Sequence, residues 1–171
     1  MQARGNYPPP PGVTDILGLE ISGVIAGVGA YVPKDIKVGD RVASLLAGGG
    51  YATRVAVHHK MLFHLPDDWS FEMGAALPEA WLTAYVNLFI EGGLRSSAPK
   101  GDAPETVLIH AGGSGVGTAA VQLVREAGAK PIVTAGTESK LEICRELGAV
   151  LAINYKEQDF LKEVMAANGG N

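Results

Sequence analysis

Residues Ala111 to Gly117 read Ala-Gly-Gly-Ser-Gly-Val-Gly, between an apolar strand-like run, Thr106 to His110, and an apolar helix-like run, Val116 to Ala127. A strand that ends in glycines and turns straight into a helix lets the backbone approach a phosphate closely, and it aims the helix's unpaired N–H groups at the anion. The chemistry on offer is pyrophosphate binding. Gly112, Ser114 and Gly117 fall on the three glycine places of the G-x-G-x-x-G pattern, so its middle glycine is replaced, and a second strand opens at Pro131 as a βαβ unit requires. The competing reading is a tight strand-to-helix turn that holds no ligand.

Which nucleotide fits is decided at the end of that second strand, where an acid would grip a ribose 2′-hydroxyl and a base would pair with a 2′-phosphate. Ala135-Gly-Thr137 carries no acid. Glu138 follows, but it begins the next helix, where the dipole favours an acid for structural reasons alone. Ser139 and Lys140 then supply a hydroxyl and a cation. The pattern favours NADPH over NADH; the alternative for Lys140 is a solvated helix residue. The single cysteine, Cys144, lies on a helix between Ile143 and Leu147 and reads as a small core residue.

The elements that must position these residues alternate regularly: strand Thr106–His110, helix Val116–Ala127, strand Pro131–Ala135, helix Ser139–Leu147, strand Leu151–Asn154 and helix Gln158–Ala167. Gly128 and Gly148 each stand where a C′ glycine closes a helix. Such alternation implies a parallel sheet with right-handed crossovers and strand order 3-2-1, the first half of a doubly wound sheet. The second βαβ half is expected after Asn171, and without it one flank of the first strand has no neighbour.

Before residue 66 the chain is short apolar runs punctuated by glycine, with strand-like stretches at Glu20–Val28, Asp40–Leu46 and Ala52–Val57, and this part reads as an irregular small β-barrel or sheet. Ser70 is a candidate N-cap for a short helix. Pro78 opens a longer one, Glu79 to Glu91, whose Trp81, Tyr85 and Leu88 read as core packing. Gly92 to Glu105, with Ser-Ser-Ala-Pro-Lys-Gly-Asp-Ala-Pro, reads as a loop.

Composition bounds the function classes. The chain has 171 residues, 47% hydrophobic and 19% charged, which suffices for a folded core. A formal net charge of −4 gives no basic stripe for a nucleic-acid backbone. No apolar run reaches the roughly 18 residues of a membrane span. Residues 1–11 carry no signal-peptide pattern, and the lone cysteine suits a reducing compartment, so a cytoplasmic location is expected.

Three stretches carry a family resemblance: Tyr7-Pro-Pro-Pro-Pro-Gly leading into Gly18-Leu-Glu-Ile-Ser-Gly; Pro78-Glu-Ala-Trp-Leu-Thr-Ala-Tyr; and His110-Ala-Gly-Gly-Ser-Gly-Val-Gly-Thr-Ala-Ala-Val-Gln-Leu. With them the chain resembles the zinc-free quinone-oxidoreductase branch of the medium-chain dehydrogenase/reductase superfamily. The resemblance implies an α/β protein. Residues 1–78 would be part of a GroES-like β-barrel catalytic domain, 79–105 a linking helix and loop, and 106–171 the N-terminal half of a Rossmann NADPH-binding domain. The activity it implies is hydride transfer from NADPH to a quinone or an activated alkene (enone), in an enzyme expected to be a homodimer at full length.

Residue by residue, the resemblance implies that Tyr7 lines the substrate cleft and that Thr83 approaches the nicotinamide. Ser114, Gly115 and Val116 would meet the pyrophosphate in the turn built from Gly112, Gly113 and Gly117. Gly136, Ser139, Lys140 and Tyr155 would form the 2′-phosphate and adenosine end. Tyr7, Thr83 and Ser114 are thus the expected catalytic-cleft residues; for Tyr7 the alternative is packing against the prolines that follow it. Zinc-dependent relatives have His between the Gly and Glu of Gly-x-Glu, where this chain has Leu19, and His58, His59, His64 and His110 lack ligand-like spacing, so no metal is expected. Glu20 and His110 then read as structural, His110 facing the backbone.

Against the family pattern the chain starts within a cleft loop, stops before the fourth Rossmann strand and has a longer connection at Gly92 to Glu105, which reads as a truncated chain with a surface insertion. Two other functions stay open on the same residues: a catalytically silent dinucleotide-binding fragment, and an enoyl-reductase module of a larger synthase.

Overall fold

A computed structural model describes residues 2–96 and 103–169, so the loop expected over Gly92 to Glu105 lies partly outside the described residues. The chain divides into two compact units, residues 1–79 and 80–171. No helix among the described residues is long and apolar enough to cross a membrane.

The first unit is built on an antiparallel sheet of β1 (Glu20–Val24), β2 (Arg41–Leu45) and β3 (Leu62–His64), in that order. Glu20 lies opposite Leu45 and Val42 opposite His64. The middle strand is the buried one, with Val42, Ala43 and Ser44 inside; the Ser44 hydroxyl is satisfied by the Met61 carbonyl at 2.9 Å. Helix α1 (Phe71–Ala75) follows, capped as expected by Ser70, whose hydroxyl accepts from the Met73 N–H at 3.2 Å. Arg41 ties the approach to this helix onto the sheet. Its guanidinium donates to the carbonyls of Pro66, Asp67 and Trp69 and lies 4.8 Å from the centre of the Phe71 ring.

One expectation for this unit needs correction. Residues 52–57 alternate in character but join no strand ladder, while Leu62–His64 forms the third strand instead. Alternation identifies a strand only where a partner supplies the hydrogen bonds, and a three-residue strand is too short to display a period of two.

Helix α2 (Pro78–Tyr85) starts at the end of the first unit, where the Glu79 N–H donates to Glu20 Oε1 at 2.8 Å. Glu20 therefore serves structurally, as a carboxylate at a helix N-terminus. The expected helix to Glu91 continues, but as a π turn over Val86–Glu91. The Asn87 side-chain amide donates to the Thr83 carbonyl at 2.8 Å, the acceptor that an α-helical Asn87 N–H would use. Trp81 and Leu88 pack on the core as expected, whereas Tyr85 is exposed against Phe89.

The rest of the second unit follows the predicted alternation: β4 (Thr106–Ile109), α3 (Gly115–Glu126), β5 (Lys130–Ala135), α4 (Glu138–Leu147), β6 (Leu151–Asn154) and α5 (Phe160–Ala167). The sheet is parallel in the order β4-β5-β6, the anticipated 3-2-1. Gly128 and Gly148 both have positive φ and end their helices. Buried Val133 and Ala135 belong to one cluster with Val121 and Val124 of α3 and Leu141 and Cys144 of α4. Strand alternation turns Thr134 to the other face. There its hydroxyl meets His110 Nδ1 at 3.0 Å, and the His110 ring stands edge-on to Phe160 of α5. Helices thus cover both faces, as a doubly wound sheet requires, and among the described residues β4 has a strand on one side only. Ion-paired Arg95 and Glu105, 3.1 Å apart, tie together the two ends of the loop before β4.

Candidate functional site

The turn between β4 and α3 is set by contacts that no side chain could replace. Ala111 takes φ 54°, the only positive φ outside glycine among the described residues. The Gly112 N–H then donates to the Thr134 carbonyl at 2.9 Å, which anchors the turn to β5. A Cβ at Gly112 would lie 2.7 Å from Val133 Cβ and 3.1 Å from Cys144 Sγ. At Gly117 it would run into the backbone carbonyls of Ala111 and Gly112, the latter at 2.6 Å. The first place of the pattern is therefore glycine because the Val133 and Cys144 side chains pack against it, and the last because strand and helix backbones close directly on each other.

Ser114, at the replaced middle place, is the N-cap of α3: its hydroxyl oxygen accepts from the Gly117 N–H at 3.0 Å. The Gly115 and Val116 N–H groups come earlier in the helix and have no intrahelical acceptor. All three residues are exposed, so two backbone donors and the Ser114 hydroxyl proton are open to a ligand. A Cβ at Gly115 would find only Ala80 of α2, 3.9 Å away. Thr83 lies three residues after Ala80 and shares its helix face.

The end of β5 is drawn into the same site. Exposed Lys140 lays its stem over the turn, so that a Cβ at Gly113 would lie 2.8 to 3.0 Å from Lys140 Cβ, Cγ and Cδ. At Gly136 a Cβ would meet the Tyr155 hydroxyl at 2.8 Å and Lys156 Cε at 3.0 Å. Ser139 Oγ lies 3.3 Å from Thr137 Oγ1. Glu138, the acid nearest this strand end, is engaged by Arg145 of its own helix. The expected residues Gly112, Gly113, Ser114, Gly115, Val116, Gly117, Gly136, Ser139, Lys140 and Tyr155 therefore surround the C-terminal ends of β4 and β5. Tyr7 belongs to the first unit, where it is exposed. Lys156 was not anticipated; the available sign was a cation directly after Tyr155 at the end of a strand.

Cys144 is fully buried, and burial pushes its thiol above the usual range, so it is a packing residue as expected. His110 is structural, through the Thr134 side chain rather than the backbone. Among the described residues no group of three or more His, Cys, Asp or Glu could hold a metal ion.

Two family models match the chain. Alcohol dehydrogenase GroES-like domain covers residues 1–67, and Zinc-binding dehydrogenase covers 115–171. The chain belongs to the medium-chain dehydrogenase/reductase superfamily. It is 38% identical over 166 residues to the synaptic vesicle membrane protein VAT-1 homolog of Danio rerio, covering 96% of this chain and 32% of that protein. It is 30% identical to the trans-enoyl reductase mpsG of Macrophomina phaseolina, over 90% of this chain and 46% of the relative. Escherichia coli quinone oxidoreductase, solved in complex with NADPH, superposes with a TM-score of 0.78 at 34% identity, over 94% of this chain and 48% of that one. The chain thus spans about half the length, or less, of these superfamily members. Zinc, named in the second family description, finds no ligand set among the described residues.

Proposed function

We propose that this chain binds NADPH on its second unit and serves an oxidoreductase of the zinc-free quinone-oxidoreductase branch, which passes hydride to a quinone or an activated alkene. The observation that carries the reading is a glycine turn joined to an acid-free, lysine-bearing strand end: Lys140 lies over Gly113, while Glu138 is engaged by Arg145. An anionic pyrophosphate suits the open N–H groups of Gly115 and Val116 and the Ser114 hydroxyl. A 2′-phosphate suits Lys140, Ser139 and Tyr155 around Gly136.

In this reading Thr83 approaches the nicotinamide ribose, and Tyr7 offers its hydroxyl to the acceptor oxygen. When bound, NADPH supplies the hydride, and the acceptor completes its reduction with a proton from a hydroxyl donor or from solvent. The protein's part is to hold two flat rings in register and to meet the negative charge that develops on the acceptor oxygen.

Lys140→Ala tests the cofactor assignment. It should weaken NADPH binding by about 1.5–3 kcal/mol and leave NADH nearly unchanged, as loss of one charge-assisted contact to the 2′-phosphate requires. Equal weakening of both in a calorimetric titration would remove the phosphate assignment. The likeness to a trans-enoyl reductase supports a second reading, reduction of a 2-enoyl thioester. Turnover of NADPH with 1,4-benzoquinone, an ortho-quinone and a 2-enoyl thioester, measured side by side, separates the two, and binding without turnover of any acceptor leaves a nucleotide-binding role alone.

A further inference from the structure

We infer that Lys156 is a second cation of the 2′-phosphate subsite and shares with Lys140 the discrimination between phosphorylated and unphosphorylated ribose. The inference rests on the nucleotide site proposed above. It starts from the side of Gly136, where the absent side chain lets two longer ones approach the backbone. Two side-chain ends reach the position a Cβ would take: the Tyr155 hydroxyl at 2.8 Å and Lys156 Cε at 3.0 Å. One C–N bond of about 1.5 Å then places the Lys156 ammonium within about 4.5 Å of the same point.

The backbone beneath these side chains is fixed. The Tyr155 N–H donates to the Ala135 carbonyl at 3.2 Å, and the Lys156 N–H donates to Oδ1 of buried Asn154 at 3.2 Å. Asn154 is itself held, its N–H donating to Gln158 Oε1 at 3.1 Å. The turn after β6 thus presents Tyr155 and Lys156 at the end of β5 with no freedom of register.

The charge arrangement is one-sided. No carboxylate pairs with Lys140 or Lys156 among the described residues, and Glu138 is taken up by Arg145. A lysine loses rotamer freedom when its stem folds over a backbone, and here no internal anion offsets that cost. Two unopposed ammonium groups, the Tyr155 phenol and the Ser139 hydroxyl are donors that the chain brings to the carboxyl ends of β5 and β6 and the start of α4. An acceptor-only dianion such as a ribose phosphate monoester complements them.

Adenosine 2′,5′-bisphosphate and 5′-AMP probe this end of the site without the nicotinamide. Titrated against the wild-type chain, Lys140→Ala, Lys156→Ala and Lys156→Arg, with a thermal melt on each to verify folding, they test the assignment directly. Lys156→Ala should weaken the bisphosphate by roughly tenfold or more while 5′-AMP stays within about twofold, and Lys156→Arg should retain most of the bisphosphate affinity. The salt sensitivity of bisphosphate binding should also fall. If Lys156→Ala changes neither probe, or both alike, while Lys140→Ala still discriminates, the role of Lys156 is overturned and the nucleotide site stands. If neither lysine discriminates, both readings fall.

Discussion

A methyl group added at Gly117 and one added at Gly136 would meet different kinds of neighbour. At Gly117 the obstacles are backbone carbonyls of Ala111 and Gly112, which cannot yield without separating β4 from α3. At Gly136 they are the ends of two long side chains, which can swing aside. Gly117→Ala should therefore destabilise the fold by about 2–4 kcal/mol. Gly136→Ala should melt within a degree or two of wild type yet lose adenosine 2′,5′-bisphosphate binding, because its methyl displaces the Tyr155 hydroxyl and the Lys156 stem; a thermal melt and a titration on the same samples check both. Cys144 gives a pH prediction. Burial raises its folded-state pKa above the unfolded value, so above the ordinary thiol range the unfolded chain releases a proton that the folded chain keeps. Its contribution is present at neutral pH and is lost as pH rises through the alkaline range. Cys144→Ala should flatten the alkaline limb of a stability-against-pH curve from chemical denaturation.

Among the elements, α3 carries two tasks at one residue. Ser114 caps the helix and also presents a hydroxyl to the outside of the turn. Ser114→Asp keeps an oxygen for the Gly117 N–H but adds a negative charge, so stability should hold while nucleotide binding is lost. Ser114→Ala should cost about 1 kcal/mol of stability. Urea denaturation and a titration of each variant separate the cap from the ligand contact. The regular elements of the second unit were legible in the sequence because glycines bound each run, and β6 has the predicted limits. The first unit was less so: Val55 and Val57 alternate with polar or small neighbours but find no ladder, and Leu62–His64 is recognised only through its pairing with β2. The π turn was hidden because no residue pattern over 86–91 marks it, and the Asn87 amide bond to the Thr83 carbonyl is seen only in three dimensions. Within the candidate site the glycines and Lys140 could be read from spacing, whereas Lys156 belongs to no pattern and is noticed only when the end of β6 lies beside Gly136.

At the scale of the molecule, the candidate nucleotide residues all fall in residues 80–171, whereas Tyr7, the expected substrate-cleft residue, lies in residues 1–79. A ligand stabilises what it binds by mass action. Saturating adenosine 2′,5′-bisphosphate should therefore slow amide hydrogen exchange in β5, α3 and the turn after β6, with little effect on β1, β2 and β3; equal protection of both sets would contradict the assignment. The chain's net charge of −4 makes the local lysines more consequential, since an anionic nucleotide meets an overall acidic protein and gains attraction only near those side chains. The backbone of Ala111 has a kinetic consequence. A non-glycine residue held at positive φ costs about 1–2 kcal/mol, and in this chain the Gly112 N–H bond to the Thr134 carbonyl and the close backbone approach at Gly117 hold Ala111 there. A turn shaped by the protein's own contacts needs no rearrangement to receive a phosphate, so the observed association rate should rise in proportion to ligand concentration without a plateau.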